Sequence, residues 1–212
     1  MIYKDRSAAA AVLADSLRDY AGRKDTVVIA LPRGGLALGR VVADRLGLPL
    51  DIVVPRKIGL PGNPEYAIGA LAESGEPVWN EEARASADEK EVAAAVKEET
   101  AEARRRLKLY RAGLPPRVLR GKTVIVVDDG IATGLTMSAA LKTIRAAGAA
   151  RVVVAVPVAP TEAKDRLRQE ADESVVLDTP AGFMAVGAYY DDFPQVSDAE
   201  AIRLLRLVAG RK

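Results

Sequence analysis

The chain has 212 residues, of which 49% are hydrophobic and 28% are charged, and this balance is typical of one soluble globular domain. Its 31 basic and 29 acidic residues leave a formal net charge of +2, which gives no reason to expect nucleic acid or an anionic membrane as a partner. The absence of cysteine and histidine excludes disulfides, thiolate nucleophiles, Ser-His-Asp triads and zinc sites built on sulfur or imidazole.

The remaining residue types restrict both the chemistry and the location that we expect. Catalysis would have to come from Asp, Glu, Lys, Arg or Tyr, from backbone dipoles or from a hard cation such as Mg²⁺, which suits phosphates and sugars. No apolar run approaches the roughly 18 residues of a membrane span, and the N-terminal MIYKDRS lacks a signal-peptide profile. We therefore expect a cytoplasmic protein without a membrane partner, and a homo-oligomer is compatible with the sequence.

Hydrophobic periodicity predicts repeated strand–helix units. An apolar stripe at helical spacing predicts a first helix over residues 6–21. Short apolar runs predict the strands, and helical spacing that ends near a glycine predicts the helices between them. In chain order these are strand 26–31, helix 36–47, strand 51–57, strand 124–127, helix 138–148, strand 152–158 and strand 174–178. Wholly apolar strands indicate a mainly parallel sheet covered by helices on both faces, so we predict one α/β domain over residues 1–212.

Two long segments fall outside this alternation. Residues 58–80 are rich in Gly and Pro but contain YAIGALA, so we expect a loop with a short strand or hairpin. Residues 87–112 alternate Ala with Glu, Lys and Arg and predict a long exposed helix. Its charges would form a solvated face supported by pairs such as Glu102 with Arg106.

Two adjacent aspartates, Asp128 and Asp129, follow the apolar strand VIVV. They repel each other and lose hydration if the site closes, so such a pair is costly at the end of a buried strand. Asp-Gly is a hairpin signal, but the helical pattern of residues 138–148 favours a strand–loop–helix unit instead. The acid pair would then lie at the carboxyl end of a parallel strand, where such sheets bind ligands. A purely structural helix start remains the alternative.

Two loops at this sheet edge offer groups to anions. The turn ATGLT, residues 132–136, provides consecutive backbone N–H groups, two hydroxyls and a helix N-terminus, which suit one phosphate. The turn PRGG, residues 32–35, provides N–H groups and Arg33 for a larger anion. Asp128 and Asp129 can accept hydrogen bonds from a diol between them, directly or through Mg²⁺. Phosphate, diol and polyanion in this order describe 5-phosphoribosyl-1-pyrophosphate.

Two other phosphate-binding patterns fail. Gly121-Lys122-Thr123 is not the end of a P-loop, because Pro116 stands where its first glycine belongs and a strand follows. The glycines that follow the first strand do not form a dinucleotide fingerprint, because Leu36 occupies the place of the middle glycine.

With these motifs the sequence resembles the type I phosphoribosyltransferases. The stretch VIVVDDGIATGLTM resembles their phosphoribosyl pyrophosphate signature, and ALPRGGLALG resembles their pyrophosphate loop, most closely in the xanthine-guanine type. RKIGLPG, residues 56–62, is similar to the Arg-Lys strand end and mobile loop of the adenine type. The resemblance implies a Rossmann-like α/β fold with a mainly parallel sheet, a small hood over residues 179–195 and a mobile segment over 58–80. The helix at 87–112 is then an insertion.

The resemblance also implies a role for each motif. Asp128 and Asp129 would hold the ribose 2- and 3-hydroxyls and, indirectly, Mg²⁺. The 5-phosphate would lie in the turn formed by Ala132, Thr133, Gly134, Leu135 and Thr136. The pyrophosphate would meet Mg²⁺ together with Pro32, Arg33, Gly34, Gly35 and Lys57. Asp128, Asp129, Arg33 and Lys57 would be catalytic, because they would stabilise the charges that develop when pyrophosphate leaves C1.

The acceptor is predicted from two further segments. Ala132 stands where hypoxanthine and xanthine-guanine types carry an aspartate, as in the adenine and uracil types. The C-terminal PAGFMAVGAYYDDF nevertheless resembles the base-binding segment of the hypoxanthine type. Phe183 would stack on a base and Asp191 or Asp192 would face its edge, although these aromatic residues equally fit a core or rim. Glu65 would take the acceptor's proton, unless the acceptor is already anionic.

These motifs leave two functions open. The first is an enzyme that uses Mg²⁺ and transfers phosphoribosyl to a nitrogenous base, with a purine favoured. The second is a non-catalytic regulator that senses phosphoribosyl pyrophosphate in the same pocket. Arg33 and Lys57 favour the enzyme, because both would serve the leaving group.

Overall fold

The computed structural model describes residues 1–85 and 87–209, without the side chains of residues 65 and 207–209. Its strands are β1 Thr26–Ala30, β2 Leu50–Ile52, β3 Arg56–Leu60, β4 Asn63–Leu71, β5 Pro77–Trp79, β6 Thr123–Val127, β7 Arg151–Val158 and β8 Glu173–Asp178. Its α-helices are α1 Arg6–Ser16, α2 Gly34–Leu46, α3 Glu81–Arg84, α4 Glu89–Tyr110, α5 Leu135–Ala146, α6 Thr161–Glu170 and α7 Asp198–Ala209.

Five strands form a parallel sheet in the order β2-β1-β6-β7-β8. Successive side chains of a strand point to opposite faces, so β6 contributes to two apolar cores. Ile125 and Val127 pack with α1 and α2 on one face, whereas Val124 and Val126 pack with α5 and α6 on the other. The predicted parallel sheet with helices on both faces is confirmed.

The prediction of one strand over residues 51–57 is wrong. β2 ends at Ile52, and Arg56 begins a separate antiparallel sheet in the order β3-β4-β5. Pro55 stands between them, and proline cannot donate a ladder hydrogen bond and restricts the residue before it. Lys57 therefore projects from a hairpin, where it pairs with Ala70, and not from the main sheet. The hairpin expected within residues 58–80 is present as β3 and β4.

The predicted helix at 87–112 is present as α4, but it is not exposed on all sides. Asp88 caps its start, since its side chain accepts hydrogen bonds from the N–H groups of Lys90 and Glu91. Val92 packs on the β3–β4 hairpin, and Tyr110 is fully buried beside α2 and α7. The helix therefore connects the small sheet with the main domain core.

Two further differences concern the ends of the chain. The first helix ends at Ser16 and is followed by a 3₁₀ turn over Arg18–Tyr20, so the predicted helix over 6–21 is too long. After β8, residues 179–195 run back to the N-terminal segment, where Tyr190 forms a parallel bridge with Tyr3.

In the described ranges, no helix is both long and apolar enough to cross a membrane.

Candidate functional site

The turn after β1 and the acid pair after β6 are in direct contact. The Leu31 N–H donates to the Val127 carbonyl oxygen at 3.1 Å, which holds the two strand ends together. A Cβ on Gly34 would lie 1.9 Å from Asp129 Oδ2, and one on Gly35 would lie 2.8 Å from Asp128 Oδ1. A side chain at Gly34 would have to displace the Asp129 carboxyl group, and one at Gly35 would also meet the Val127 carbonyl oxygen at 2.8 Å. The predicted pyrophosphate turn and the predicted ribose-binding acids therefore lie at one sheet edge.

A cavity of about 410 Å³ opens at this edge, within the size range of small-molecule sites. The main sheet contributes Asp128 and the phosphate turn to its wall, and the antiparallel sheet contributes Lys57. The lining residues are Lys57, Tyr66, Ala67, Asn80, Asp128, Gly130, Ile131, Ala132, Thr133, Gly134, Thr136, Met137 and Val186. The fold thus brings together a carboxylate, a cation and an anion-binding turn that are distant in sequence.

The turn before α5 has the geometry of an anion site. Gly134 adopts a left-handed conformation with φ of 80°, which places the first amides of α5 at the cavity and is strained for other residues. Within the described residues, no side chain caps this helix. Its N-terminal N–H groups are thus left for a ligand, as in other phosphate sites at helix starts. Leu135, which was also predicted to bind the phosphate, is buried against Ala70 and Ala139 and does not line the cavity.

Arg166 supports this turn from behind, and sequence reasoning missed it. Its Nη1 donates to the Thr133 carbonyl oxygen at 3.2 Å. The C=O of Thr133 and the N–H of Gly134 belong to one planar peptide and point in opposite directions. Because the carbonyl is held on one side, the N–H is directed to the other. No sequence signal pointed to Arg166, since it lies one strand–helix unit away on α6.

The two carboxylates of the acid pair have different surroundings. Burial, and next the negative charge of Asp129, raise the pKa of Asp128 well above its ordinary value. Burial also raises the pKa of Asp129, but Arg6 opposes this, because its Nε lies 2.9 Å from Asp129 Oδ2. Asp128 lines the cavity, whereas Asp129 is held by Arg6 and abuts Gly34. Nothing in MIYKDRS indicated Arg6.

Arg33 does not reach the cavity wall. The peptide bond between Pro32 and Arg33 is cis, and the Arg33 Nη1 lies 3.5 Å from Asp198 Oδ1 on α7. Asp198 also accepts a hydrogen bond from the Tyr110 hydroxyl at 2.7 Å, which lowers the pKa of Asp198. The glycines of the PRGG turn thus lie beside the acid pair, whereas the Arg33 side chain points towards α7. A role of Arg33 at the pyrophosphate remains a prediction that requires Arg33 to leave or share Asp198.

The residues predicted to bind the base lie outside the cavity wall. The ring of Phe183 stacks on Tyr189 with centroids 5.4 Å apart. Asp191 and Asp192 are exposed, and their backbone N–H groups donate to the carbonyls of Tyr3 and Lys4. From this segment only Val186 lines the cavity. The side chain of Glu65 lies outside the described residues, so its predicted role as proton acceptor stays a prediction.

Tyr66 and Asn80 are cavity residues that sequence reasoning did not single out. Tyr66, on β4, is 51% exposed although it is a large aromatic residue, and it lies on the same wall as Lys57. The signal that was available is the aromatic residue inside YAIGALA, next to the Gly-Pro-rich loop.

The acid pair suits Mg²⁺ only as a partner of a phosphate ligand. In residues 1–85 and 87–209, no three Asp, Glu, His or Cys side chains cluster in a way that would hold a metal by themselves. Mg²⁺ commonly keeps several waters and is bound through one or two carboxylates together with substrate phosphates. Asp128 and Asp129 fit that donor set.

Comparisons with known proteins agree with this arrangement. Residues 2–191 match the family model of the phosphoribosyl transferase domain. Proteins from two Mycobacterium tuberculosis strains, CDC 1551 / Oshkosh and H37Rv, provisionally named phosphoribosyl transferases, are 41% identical over 206 residues, or 96% of this chain. The chain spans about half (46%) of the length of those relatives.

A solved structure shows the same fold over the whole length. The protein TT1426 from Thermus thermophilus is 44% identical, has a TM-score of 0.81, and is matched over 99% of this chain and 100% of that one. The family match covers both glycine turns, the acid pair and the hairpin that carries Lys57. We conclude that the chain belongs to the phosphoribosyltransferase family, of type I.

Proposed function

We propose that this protein binds 5-phosphoribosyl-1-pyrophosphate with Mg²⁺ and transfers the phosphoribosyl group to a nitrogenous base, releasing pyrophosphate. The observation that carries the proposal is the shared cavity, in which Asp128, Lys57 and the uncapped start of α5 meet. An anionic group, a cationic group and a phosphate-binding turn around one space of about 410 Å³ match a sugar that carries phosphates at both ends.

The charges of the wall support one orientation of the substrate. The 5-phosphate takes the turn at residues 132–136, the ribose hydroxyls take Asp128, and the pyrophosphate lies towards Lys57 and the PRGG turn. Asp128 and Asp129 would hold Mg²⁺, whose chemistry there is to neutralise charge on the pyrophosphate.

Transfer then follows from charge stabilisation. The bond between C1 and the pyrophosphate oxygen breaks with its electron pair on the leaving group, and C1 develops oxocarbenium character. Lys57 stabilises the leaving group and Asp128 stabilises the sugar, while a base nitrogen forms the new bond to C1. The proton of that nitrogen passes to Glu65, unless the acceptor is already anionic. The β3–β4 hairpin borders the cavity and is positioned to exclude water, which would otherwise hydrolyse the activated sugar.

A purine is the favoured acceptor, because the matching motifs resemble the adenine and xanthine-guanine types. A pyrophosphate-release assay with adenine, hypoxanthine, xanthine, guanine, uracil and orotate tests the reaction. Turnover of one or more bases is the expected result. If no base is turned over while phosphoribosyl pyrophosphate binds tightly, the catalytic proposal is overturned.

Two variants locate the base. Stacking on an aromatic ring contributes about 1–3 kcal/mol, so loss of the ring that touches the base should raise the base KM roughly 5- to 150-fold. We expect this for Tyr66→Ala, since Tyr66 lines the cavity, and not for Phe183→Ala, since Phe183 stacks on Tyr189. The opposite result would mean that the base binds at residues 179–195.

One observation favours a second candidate, a non-catalytic sensor of phosphoribosyl pyrophosphate. The Arg33 side chain is engaged by Asp198 and not by the cavity, so one of the two cations expected at the leaving group is withheld. A sensor would bind phosphoribosyl pyrophosphate without releasing pyrophosphate from it, and the assay above separates the two functions. The cytoplasmic location and a homo-oligomeric state remain predictions.

A further inference from the structure

Arg6 is the most buried arginine beside the candidate site. Its residue exposure is 9%, and a guanidinium is costly to bury unless its charge and its donors are satisfied. Here Nε donates to Asp129 Oδ2 at 2.9 Å and Nη1 donates to the Pro194 carbonyl oxygen at 2.7 Å. The guanidinium carbon also lies 3.7 Å from the centroid of the Phe193 ring, which is a cation–π contact.

These contacts join three segments that are far apart in sequence. Arg6 is the first residue of α1, Asp129 ends the acid pair, and Phe193 and Pro194 belong to the segment that returns from β8. A second set of bonds follows the same path, because the Tyr190 hydroxyl donates to the Asp129 carbonyl and the Asp191 and Asp192 amides donate to the Tyr3 and Lys4 carbonyls. A change at Arg6 would therefore be transmitted to the acid pair.

We propose that Arg6 is a positioning residue that holds Asp129 against the segment 190–194 and so leaves Asp128 as the carboxylate that faces the substrate. This inference rests on the proposed function, since it assigns unequal roles to the two acids. The fork geometry of the guanidinium is essential to it, because one group must reach a carboxylate and a carbonyl oxygen at once. Lysine has the charge but not the fork.

Arg111 provides a matched control elsewhere in the fold. It donates to both oxygens of Asp51, at 2.9 and 2.8 Å, and to the Pro115 carbonyl oxygen at 2.8 Å. Its side chain is 17% exposed, against 10% for Arg6. Asp51 and Pro115 line a different cavity, of about 290 Å³, next to the first residue of β1. Substitution of Arg111 thus removes hydrogen bonds to a carboxylate and to a carbonyl oxygen, as at Arg6, without touching the candidate site.

The experiment compares the parent with four variants, Arg6→Lys, Arg6→Gln, Arg111→Lys and Arg111→Gln. For each protein it measures Tm and, by calorimetry, the affinity for phosphoribosyl pyrophosphate with Mg²⁺. Because a hydrogen bond between charged groups is lost, the affinity of Arg6→Gln should fall about 10- to 150-fold. Arg6→Lys keeps the charge, so its affinity should fall less, by about 3- to 10-fold. Both Arg111 variants should lose Tm to a similar extent and keep the parent affinity.

The outcomes separate this inference from the proposed function. A parent that does not bind phosphoribosyl pyrophosphate overturns both. A parent that binds, with Arg6 variants that bind equally well, overturns the role of Arg6 alone. If Arg6→Gln does not fold, Arg6→Lys decides, and parent-like affinity in that variant also overturns the role.

Amide hydrogen exchange provides a readout that needs no ligand. In Arg6→Gln, or in Arg6→Lys if the former does not fold, the amides of Asp191 and Asp192 should exchange faster, because the segment has lost its link to the acid pair. The Arg111 variants should leave these two amides unchanged. Unchanged exchange in the Arg6 variants would contradict the coupling between Arg6 and this segment.

Discussion

The two turns that follow β1 and β6 both contain glycine, yet they differ in what their glycines do. Both connect a buried parallel strand to a helix, and both were predicted to cradle an anion. In the turn after β6, Gly134 has φ of 80°, and the nearest atom to an added Cβ is 3.8 Å away, so its glycine provides conformation. In the turn after β1, Gly34 is pressed against Asp129, so its glycine provides space.

The difference shows that glycine can serve two physical purposes in the same site. The turn after β6 is open to the cavity and offers its amides directly. The turn after β1 packs against the acid pair, and its arginine is engaged with α7. The turn after β6 thus leaves its amides open to a ligand, whereas the turn after β1 packs against the carboxylates.

Gly34→Ala should have the largest effect, because the added methyl group would overlap Asp129 Oδ2. We expect the free energy of unfolding to fall by about 1–3 kcal/mol, as for other overpacked sites, and phosphoribosyl pyrophosphate binding to be lost. Urea unfolding and calorimetry measure the two effects. Gly47→Ala is the control, since Gly47 ends α2 with φ of 64° and nothing lies within 4 Å of an added Cβ, so the change should cost about 1–2 kcal/mol through backbone strain without displacing a carboxylate. Parent-like binding by Gly34→Ala would show that close approach is not what this glycine provides.

The next largest effect is expected from the two hydroxyls of the turn after β6. Thr133→Val with Thr136→Val keeps the shape of both side chains and removes two donors, so the affinity for ribose 5-phosphate should fall by about 1–3 kcal/mol. The affinity for pyrophosphate alone, measured in the same titration series, should not change. Equal binding of ribose 5-phosphate by parent and variant would place the 5-phosphate elsewhere.

Arg166→Gln tests the same turn through its supporting hydrogen bond, and its effect on ligand affinity should be smaller. Loss of the hydrogen bond to the Thr133 carbonyl frees the peptide that carries the Gly134 N–H, so ribose 5-phosphate should bind about three- to tenfold more weakly. Arg168→Gln is matched, because Arg168 lies on the same helix and pairs with Asp165 instead of the turn. If both variants bind ribose 5-phosphate equally weakly, the affinity depends on the positive charge of α6 and not on the hydrogen bond from Arg166 to Thr133.

The smallest effect is expected at the turn after β1. Asp198→Asn weakens the partly exposed pair with Arg33, so the free energy of unfolding should change by no more than about 1 kcal/mol. Phosphoribosyl pyrophosphate should bind as tightly as in the parent, or up to about threefold more tightly if Arg33 then reaches the leaving group. A clear loss of affinity would mean that Asp198 holds Arg33 in its binding orientation.

The sequence by itself determined the parallel sheet and the edge at which the site lies. Strands such as VIVV are apolar on both faces, and this pattern is compatible only with burial between two layers of helices. Local signals also located the acid pair, both glycine turns and the helix at 87–112, because strand ends, turn residues and helical spacing are encoded by neighbouring residues.

Only the tertiary structure decided which side chains meet at the cavity. Lys57 reaches it from a separate antiparallel sheet that begins after Pro55, whereas the Arg33 side chain is drawn away by Asp198 of α7. Arg6 and Arg166 contact the site from α1 and α6, and Phe183 turns to Tyr189 instead of the cavity. Such contacts depend on the packing of elements far apart along the chain, which no local pattern of residues records.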